Sequence, residues 1–273
     1  MKISVSNIAF PPFDHEAELS AMPALGISGI EVAPSRVWQK TWQGLTVKDV
    51  SAYRGQVEQA GMGVVGLHSL LFDHPELRLF DGEESRGRLL DFFVHLSGVC
   101  RDLGGHTLIW GGGRTRGQVQ LPDAETAATA FMAELAYRIE NHGTVFCFEP
   151  LGPMDSDFIN SSLTSLRIAK EVAHPAIAVQ LDAKALSEND EIQDGIFDAV
   201  REYLVHVHVN EPKLGVIGSS GTIDHVGIAA QLRRINYKEF ISLEQRMLNA
   251  EDPVADVSMS ISAIRQIYCG DSF

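Results

Sequence analysis

Eight short apolar runs, spread along the whole chain, most constrain what this sequence can fold into. They are rich in valine and isoleucine, are bounded by glycine, proline or polar residues, and cover residues 3–8, 29–33, 63–68, 106–110, 144–148, 177–181, 204–209 and 240–243. Runs that are apolar nearly throughout are typical of parallel strands covered on both faces. The sequence therefore predicts eight such strands.

Segments with helical spacing separate these runs. They cover residues 16–25, 47–60, 85–103, 125–140, 162–172, 191–202 and 228–235, and glycine or asparagine often follows, as expected where a helix stops before a strand. Eight strand–helix units in 273 residues average about 34 residues each. This pattern predicts an α/β fold, a single (β/α)₈ TIM barrel that occupies residues 1–273 as one domain.

An open, doubly wound sheet is the main alternative fold. That fold would carry a G-x-G-x-x-G motif after the first strand, and this chain has none there. The glycines at 111–113 follow the fourth run without that spacing, so we interpret them as a flexible loop. The count of eight units also favours a closed barrel.

The charge balance excludes several classes of partner. The chain has 22 Lys+Arg against 36 Asp+Glu, a formal net charge of −14, which repels nucleic acid and anionic membranes. Its three cysteines are odd in number and lack C-x-x-C spacing, and neither a secretory signal nor a membrane-spanning apolar run is present. We therefore expect a cytoplasmic protein with no nucleic-acid or membrane partner.

Charged residues end the last four predicted strands. Glu149, Asp182, His208 and Glu244 stand at these ends, where (β/α)₈ barrels place their active sites. One such carboxylate alone would commonly cap a helix, but three uncompensated carboxylates in a low-dielectric barrel mouth are strongly disfavoured. A divalent cation would compensate them, with Mn²⁺ or Mg²⁺ favoured over Co²⁺ or Zn²⁺ by the oxygen-rich donor set. His206 shares a strand face with His208, and we expect it to support the ligand or to pack.

Other polar or aromatic residues near the strand ends are candidates for substrate binding. They are Asn7, His68, Trp110, Arg114, Glu211 and Arg246, with Glu31 and Arg116 as further candidates. Trp110 could cover an apolar face of a sugar, and Arg114 could reach a phosphate or carboxylate group. The long segments 70–80 and 211–226 are expected to form lids.

The order and spacing of the four strand-end residues resemble the xylose isomerase-like TIM barrel superfamily. The gaps are 33, 26 and 36 residues, and the sequences at 29–34, 66–72, 206–212 and 241–244 are similar to its sugar phosphate isomerase/epimerase branch, which includes ketose 3-epimerases. The resemblance implies one metal ion held by all four residues. It also implies catalytic roles for Glu149 and Glu244, on opposite faces of a bound sugar, in proton transfer through a metal-stabilised enediolate.

The chain departs from the ketose 3-epimerase pattern at two positions. Ala185 stands where that branch has a substrate-contacting histidine, and Leu214, beside Lys213, stands where it has an arginine. These changes argue against free ketohexoses as substrates. Endonuclease IV shares the fold, but its three-metal site uses more histidines and faces DNA, which fits poorly with the net charge of −14.

The expected function is that of a metal-dependent sugar or sugar-phosphate isomerase or epimerase. Its partner would be a small sugar or sugar phosphate, and the chain would assemble as a homodimer or homotetramer. One alternative is a metal-dependent lyase or dehydratase acting on a polyhydroxylated acid, because the same intermediate can expel a β-hydroxyl. The other is a non-catalytic sugar-binding barrel.

Overall fold

A computed structural model describes residues 1–270, whose backbone forms a closed barrel of eight parallel strands. The strands are β1 (Lys2–Ser6), β2 (Gly29–Val32), β3 (Gly63–Leu67), β4 (Thr107–Trp110), β5 (Val145–Phe148), β6 (Ile177–Asp182), β7 (Leu204–Val209) and β8 (Phe240–Leu243). Each strand pairs with the next, and β8 pairs with β1. The predicted (β/α)₈ barrel is therefore confirmed. The domain boundaries 1–273 stay a prediction, and positions 271–273 lie outside the described residues.

Nine α-helices connect or follow the strands in the part of the chain that the structure describes. They are α1 (Glu16–Ala21), α2 (Val47–Gln59), α3 (Glu83–Leu103), α4 (Leu121–Arg138), α5 (Ser162–Val172), α6 (Ala183–Glu188), α7 (Asp194–Val200), α8 (His225–Arg234) and α9 (Pro253–Ile264). Each predicted helical segment overlaps one of them. Over residues 1–270, no helix combines the length and apolarity needed to cross a bilayer.

Two helices were not predicted, and each begins at an aspartate cap. The side chain of Asp182 accepts a hydrogen bond from the backbone N–H of Ala185 and starts α6 directly at the end of β6. The side chain of Asp252 accepts one from the N–H of Ala255, and Pro253 occupies the first position of α9. Both arrangements satisfy backbone donors that a helix start leaves free.

The register of the barrel sets which side chains share a level. Asp182 on β6 pairs with His208 on β7, and His208 pairs with Ser242 on β8. Because side chains alternate between the two faces of a strand, residues paired at the same level and facing inward meet inside the barrel. The ends of β5 to β8 therefore point polar side chains into one space.

Candidate metal centre

The four residues that end β5 to β8 come together in the structure. Glu149 directly follows β5, Asp182 is the last residue of β6, His208 is the next-to-last residue of β7, and Glu244 directly follows β8. One donor atom from each side chain lies within 4.8 Å of the donor atoms of the other three. We call these four residues the metal cluster, because their spacing suits ligands of a single cation.

One nitrogen of His208 faces all three carboxylates of the metal cluster. Its Nδ1 atom lies 2.6 Å from Oε1 of Glu149, 3.7 Å from Oε2 of Glu244 and 4.0 Å from Oδ2 of Asp182. His208 has no solvent exposure. Nδ1 is therefore the nitrogen in a position to bind a cation.

A second group of buried polar residues lies behind the metal cluster. Nε2 of His208 lies 3.1 Å from Oε1 of Glu31, and the hydroxyl of Ser242 donates a 2.7 Å hydrogen bond to Oε2 of that carboxylate. Nε2 of His206 also lies 3.1 Å from Oε1 of Glu31. The two atoms are close enough for an ion pair but are not aligned for a hydrogen bond. Glu31 therefore orients His208, and His206 lies against the same carboxylate, while its supporting role stays a prediction.

The charges in this region shift the pKa values of its members. Burial and the nearby carboxylates of Glu149 and Glu244 raise the pKa of Asp182 well above its usual value. Burial opposes a charged ring at His208, but Glu31 and the cluster glutamates outweigh it and raise the pKa of the imidazole. Besides burial, both shifts reflect the crowding of three carboxylates around one imidazole.

Two amide side chains fix the carboxylates in place. Asn210 donates to Oδ2 of Asp182 at 2.6 Å and to Oε2 of Glu244 at 2.9 Å. Gln180 donates to Oε1 of Glu149 at 3.1 Å. Sequence reasoning missed both amides as site residues, although Gln180 and Asp182 share a face of β6 and Asn210 follows β7 directly.

The donor set fits a divalent cation. Three carboxylates and one imidazole supply hard oxygen donors and one borderline nitrogen, and the carboxylates repel one another when nothing positive lies between them. Neutral amides hold these carboxylates, and none of the lysine and arginine ion pairs of the described residues involves them. A bound cation would balance the charge that His208 alone does not balance.

His68 and Gly111 complete the inner wall of the site. Nδ1 of His68 lies 3.4 Å from Oε1 of Glu244, and Nε2 lies 2.5 Å from the hydroxyl of Ser6. A Cβ atom at Gly111 would lie 2.2 Å from Oε2 of Glu149, so a larger residue there would displace this carboxylate from its present position. His68 therefore contacts the metal cluster, its predicted role in substrate binding stays a prediction, and Gly111 is an additional site residue.

Three of the predicted substrate-binding residues lie in structural positions instead. Asn7 exchanges hydrogen bonds with the backbone of Ala33 and joins the ends of β1 and β2. Trp110 stacks on Phe148 outside the barrel, because it pairs with Phe148 on the outward faces of β4 and β5. The correction for Trp110 follows from strand alternation, since its neighbour Gly111 is the residue that faces Glu149.

Arg114 is the third of these residues and has its guanidinium fully buried. It donates hydrogen bonds to the carbonyls of Trp110, Glu149, Phe158 and Ile159. Burial lowers the pKa of this guanidinium to about 10. Arg114 therefore ties the loop after β4 to the loop after β5, and its donors are not directed at a phosphate or carboxylate of a substrate.

Glu211 and Arg246 occupy the loops after β7 and β8. The carboxylate of Glu211 accepts hydrogen bonds from the N–H of Gly218 and the hydroxyl of Ser220, and it lies 3.1 Å from Nε2 of His225. It thereby ties the predicted lid segment 211–226 together from within. Arg246 is exposed, and its backbone N–H donates to the carbonyl of Leu214 in the same segment.

A cavity of about 280 Å³ opens over the metal cluster. Its lining includes Glu149, Asp182, Glu244, Asn210 and Glu211. Concave sites with a few convergent polar groups are typical of small-molecule binding. The space above the metal cluster is therefore the candidate substrate pocket.

Comparisons with known proteins agree with this architecture. The 3-dehydro-D-guloside 4-epimerase of Escherichia coli (strain K12) is 23% identical over 279 residues, which cover 97% of this chain and 99% of that protein. The apo crystal structure of 3-keto-D-glucoside 4-epimerase from E. coli superposes with a TM-score of 0.81 at 21% identity, and covers 97% of this chain and 99% of its own.

A D-psicose 3-epimerase from Clostridium cellulolyticum H10, solved with D-tagatose, has a TM-score of 0.80 at 16% identity over 98% of this chain and 99% of its own. The names of these proteins support the predicted enzyme class, a sugar isomerase or epimerase. The family of xylose isomerase-like TIM barrels matches residues 19–267. Because that match spans nearly the whole closed barrel, the chain belongs to this family.

Proposed function

We propose that the protein is a divalent-metal-dependent sugar epimerase that inverts a carbon next to a carbonyl group. Glu149, Asp182, His208 and Glu244 would hold the cation, for which Mn²⁺ or Mg²⁺ fits the oxygen-rich donors best. A bound cation supplies a Lewis acid that polarises a sugar carbonyl and makes the neighbouring C–H more acidic. Assembly into a homodimer or homotetramer stays a prediction.

The observation that carries this proposal is a difference between the three carboxylates of the metal cluster. Both oxygens of Asp182 are engaged, one by the N–H of Ala185 and one by Asn210. Glu149 instead keeps Oε2 without a hydrogen bond from any described residue, and Glu244 directs Oε1 toward His68. Asp182 is thus built as a ligand only. Glu149 has an oxygen left to take or give a proton, and Glu244 has one oxygen that faces an imidazole ring instead of a backbone N–H or an amide.

Two such glutamates suit inversion better than a single base does. One carboxylate removes the proton beside the carbonyl, and the other returns a proton to the opposite face of the planar enediolate. The names of the relatives describe reactions of this kind, since the 3-dehydro sugar is inverted at C4, the carbon next to the oxidised C3. We therefore favour epimerisation over aldose–ketose isomerisation, which one base can perform alone.

The charge of the substrate pocket favours a sugar without a phosphate group. Lys184 lines the pocket but is already paired with Asp155 and Glu188. The two lysines in the lining, Lys184 and Lys213, face five carboxylates, which are Glu149, Asp155, Asp182, Glu211 and Glu244. One bound divalent cation leaves this lining without excess positive charge, so a dianionic phosphate would be repelled.

The test combines metal analysis with solvent exchange. The purified protein is assayed for bound metal, loaded with Mn²⁺ and incubated in D₂O with a panel of 2-ketoses and 3-keto-hexosides. We expect one equivalent of metal, and one deuterium at the inverted carbon of each product. Asp182→Asn should lose metal, and Glu149→Gln and Glu244→Gln should abolish the formation of the epimer.

Three results would contradict the proposal. Epimers formed without deuterium would show that no solvent-exchangeable base takes part. A conjugated product that absorbs ultraviolet light would identify elimination and therefore a lyase or dehydratase. Binding of a sugar without hydrogen–deuterium exchange in any compound of the panel would identify a non-catalytic barrel.

A further inference from the structure

A second cavity lies beside the substrate pocket, between the loops that follow β3 and β4. Its volume is about 380 Å³, and its lining consists of Ser69, Leu70, Leu71, Phe72, Pro75, Arg78, Gly112, Gly113 and Thr115. Six of these nine residues have no polar side-chain atom. We call this space the side cavity. Nothing in the proposed proton transfer uses it.

Two lining residues of the side cavity are chain neighbours of residues that face the proposed catalytic glutamates. On one wall, the hydroxyl of Ser69 lies 3.3 Å from Nδ1 of His68, which in turn lies 3.4 Å from Oε1 of Glu244. On the other wall, Gly112 directly follows Gly111, where an added Cβ atom would lie 2.2 Å from Oε2 of Glu149. The side cavity therefore lies on the β3 and β4 side of the two glutamates, and the side chain of His68 links its wall to Glu244.

The walls of the side cavity are fixed by packing. Gly113 has a left-handed backbone, with φ of +79°, and a Cβ atom there would lie 2.6 Å from Cδ1 of Leu71. Arg114, the next residue, anchors the same loop through its buried guanidinium. Phe72, in contrast, is 78% exposed, an unusually open position for a phenyl ring. A bound apolar group would cover part of this ring.

We propose that the side cavity is a subsite for the apolar aglycone of a glycoside whose keto-sugar ring lies at the metal cluster. This inference rests on the proposed function and names its substrate class. The pocket over the metal cluster, about 280 Å³, is small for a ligand larger than one sugar ring, and the side cavity supplies the additional space.

The polar groups of the side cavity favour an aglycone over a phosphate. Nε of Arg78 donates to the carbonyl of Pro75 at 3.2 Å and lies 3.8 Å from the carboxylate of Asp81. The charge of this arginine is thus already balanced by a neighbour. The remaining polar side chains, those of Ser69 and Thr115, are neutral hydroxyls that suit the oxygens of a glycoside.

The experiment compares two glycosides of the same 3-keto-hexose on the Mn²⁺-loaded protein, one phenyl and one methyl. We expect kcat/KM to be about tenfold higher for the phenyl glycoside, the preference typical of a small apolar pocket. Phe72→Ala should lower this ratio toward one. Gly112→Trp should also lower this ratio, because Gly112 lines the cavity and a Cβ atom added there meets no atom within 4 Å, which leaves room for an indole that competes with the phenyl group.

Two control variants match these substitutions elsewhere. Met154→Ala truncates an apolar side chain that is 91% exposed in the loop after β5, outside the side cavity. Gly195→Trp adds the same indole at an open position in α7. Both control variants should have the same ratio of phenyl to methyl kcat/KM as the unaltered protein. Thermal unfolding tests whether the Gly112→Trp variant is folded.

A binding measurement separates this inference from the proposed function. The phenyl glycoside of the unoxidised hexose cannot be epimerised, and its affinity is measured by calorimetry. If Phe72→Ala weakens this binding and neither keto-glycoside is turned over, the result would support the aglycone subsite and contradict the proposed epimerase activity. Turnover of both keto-glycosides with equal kcat/KM would overturn the inference and leave the epimerase intact, and a preference for the same hexose carrying a 6-phosphate would overturn it as well.

Discussion

Oε1 of Glu31 lies 3.1 Å from Nε2 of His208, on the side of the imidazole opposite the metal cluster. Burial opposes ionisation of Glu31, but the neighbouring histidines outweigh it and keep the pKa of this carboxyl well below its usual value. An ionised Glu31 therefore accepts a hydrogen bond from the Nε2–H of His208, so that Nδ1 is the nitrogen whose lone pair would bind a cation among the other three ligands. Such carboxylate–histidine pairs fix the tautomer and the orientation of a metal ligand.

Replacing Glu31 should weaken metal binding although Glu31 touches no metal. Glu31→Gln removes the negative charge behind His208, so we expect the dissociation constant of Mn²⁺ to rise about 10- to 100-fold. Competition with a chelating dye measures it, and Glu239→Gln, at an exposed carboxylate, is the control. An unchanged dissociation constant in a folded Glu31→Gln variant would contradict the role given to Glu31.

The two glycines after β4 should respond differently to an added methyl group. In Gly111→Ala, the new Cβ would lie 2.2 Å from Oε2 of Glu149, so the carboxylate must move and the Mn²⁺ affinity should fall about tenfold. In Gly112→Ala, no atom lies within 4 Å of the new Cβ, and the affinity should stay the same. Equal metal affinities in the two variants would show that the position of Glu149 tolerates displacement.

Single replacements of the two glutamates should separate the halves of the reaction. Glu149→Gln and Glu244→Gln each keep a base on one face of the sugar, so each variant should exchange the proton of only one of the two epimers with D₂O. Nuclear magnetic resonance of the recovered sugars measures this exchange. Exchange of both epimers by one variant would identify a single base that serves both faces.

Metal binding should depend on pH and should release protons. The raised pKa values of Asp182 and His208 mean that the metal-free site retains protons to higher pH than free side chains would. A cation must displace these protons, so the apparent Mn²⁺ affinity should rise as the pH increases from about 6 to 8. Calorimetry in two buffers of different ionisation enthalpy counts the protons, and a count of zero would contradict this expectation.

Acid should destabilise the protein partly through His15. This buried ring lies 2.8 Å from the hydroxyl of Tyr53 and 3.1 Å from the carbonyl of Pro11, and burial lowers its pKa below the usual 6.5. The unfolded chain therefore binds a proton before the folded chain does. The contribution of His15 is complete above about pH 6.5 and is lost as the pH falls through the lowered value.

Urea unfolding at several pH values tests the role of His15. Between about pH 7 and 5, the free energy of unfolding should fall less steeply in His15→Gln than in the unaltered protein, by up to about 1.4 kcal/mol per pH unit. Identical slopes for the two proteins would show that His15 takes no part in acid unfolding.

The sequence by itself determined the eight strands, the closed barrel and the four residues of the metal cluster. Strand ends are local features, since an apolar run and the polar residue that follows it are adjacent in the chain. Once eight parallel strands are predicted, their carboxyl ends must meet at one end of the barrel. This is why Glu149, Asp182, His208 and Glu244 could be grouped from the sequence although they are far apart in it.

Only the tertiary structure decided the partners of these residues. Glu31 and His208 are separated by 177 positions, and the level at which they meet depends on strand register, including the irregularities between β2 and β3 and between β6 and β7. The direction of the Arg114 side chain likewise depends on the loop after β5, because that loop supplies the carbonyls of Phe158 and Ile159 to which its guanidinium donates. A side chain's partner depends on distances between elements, and a one-residue change of register reverses the direction in which a side chain points.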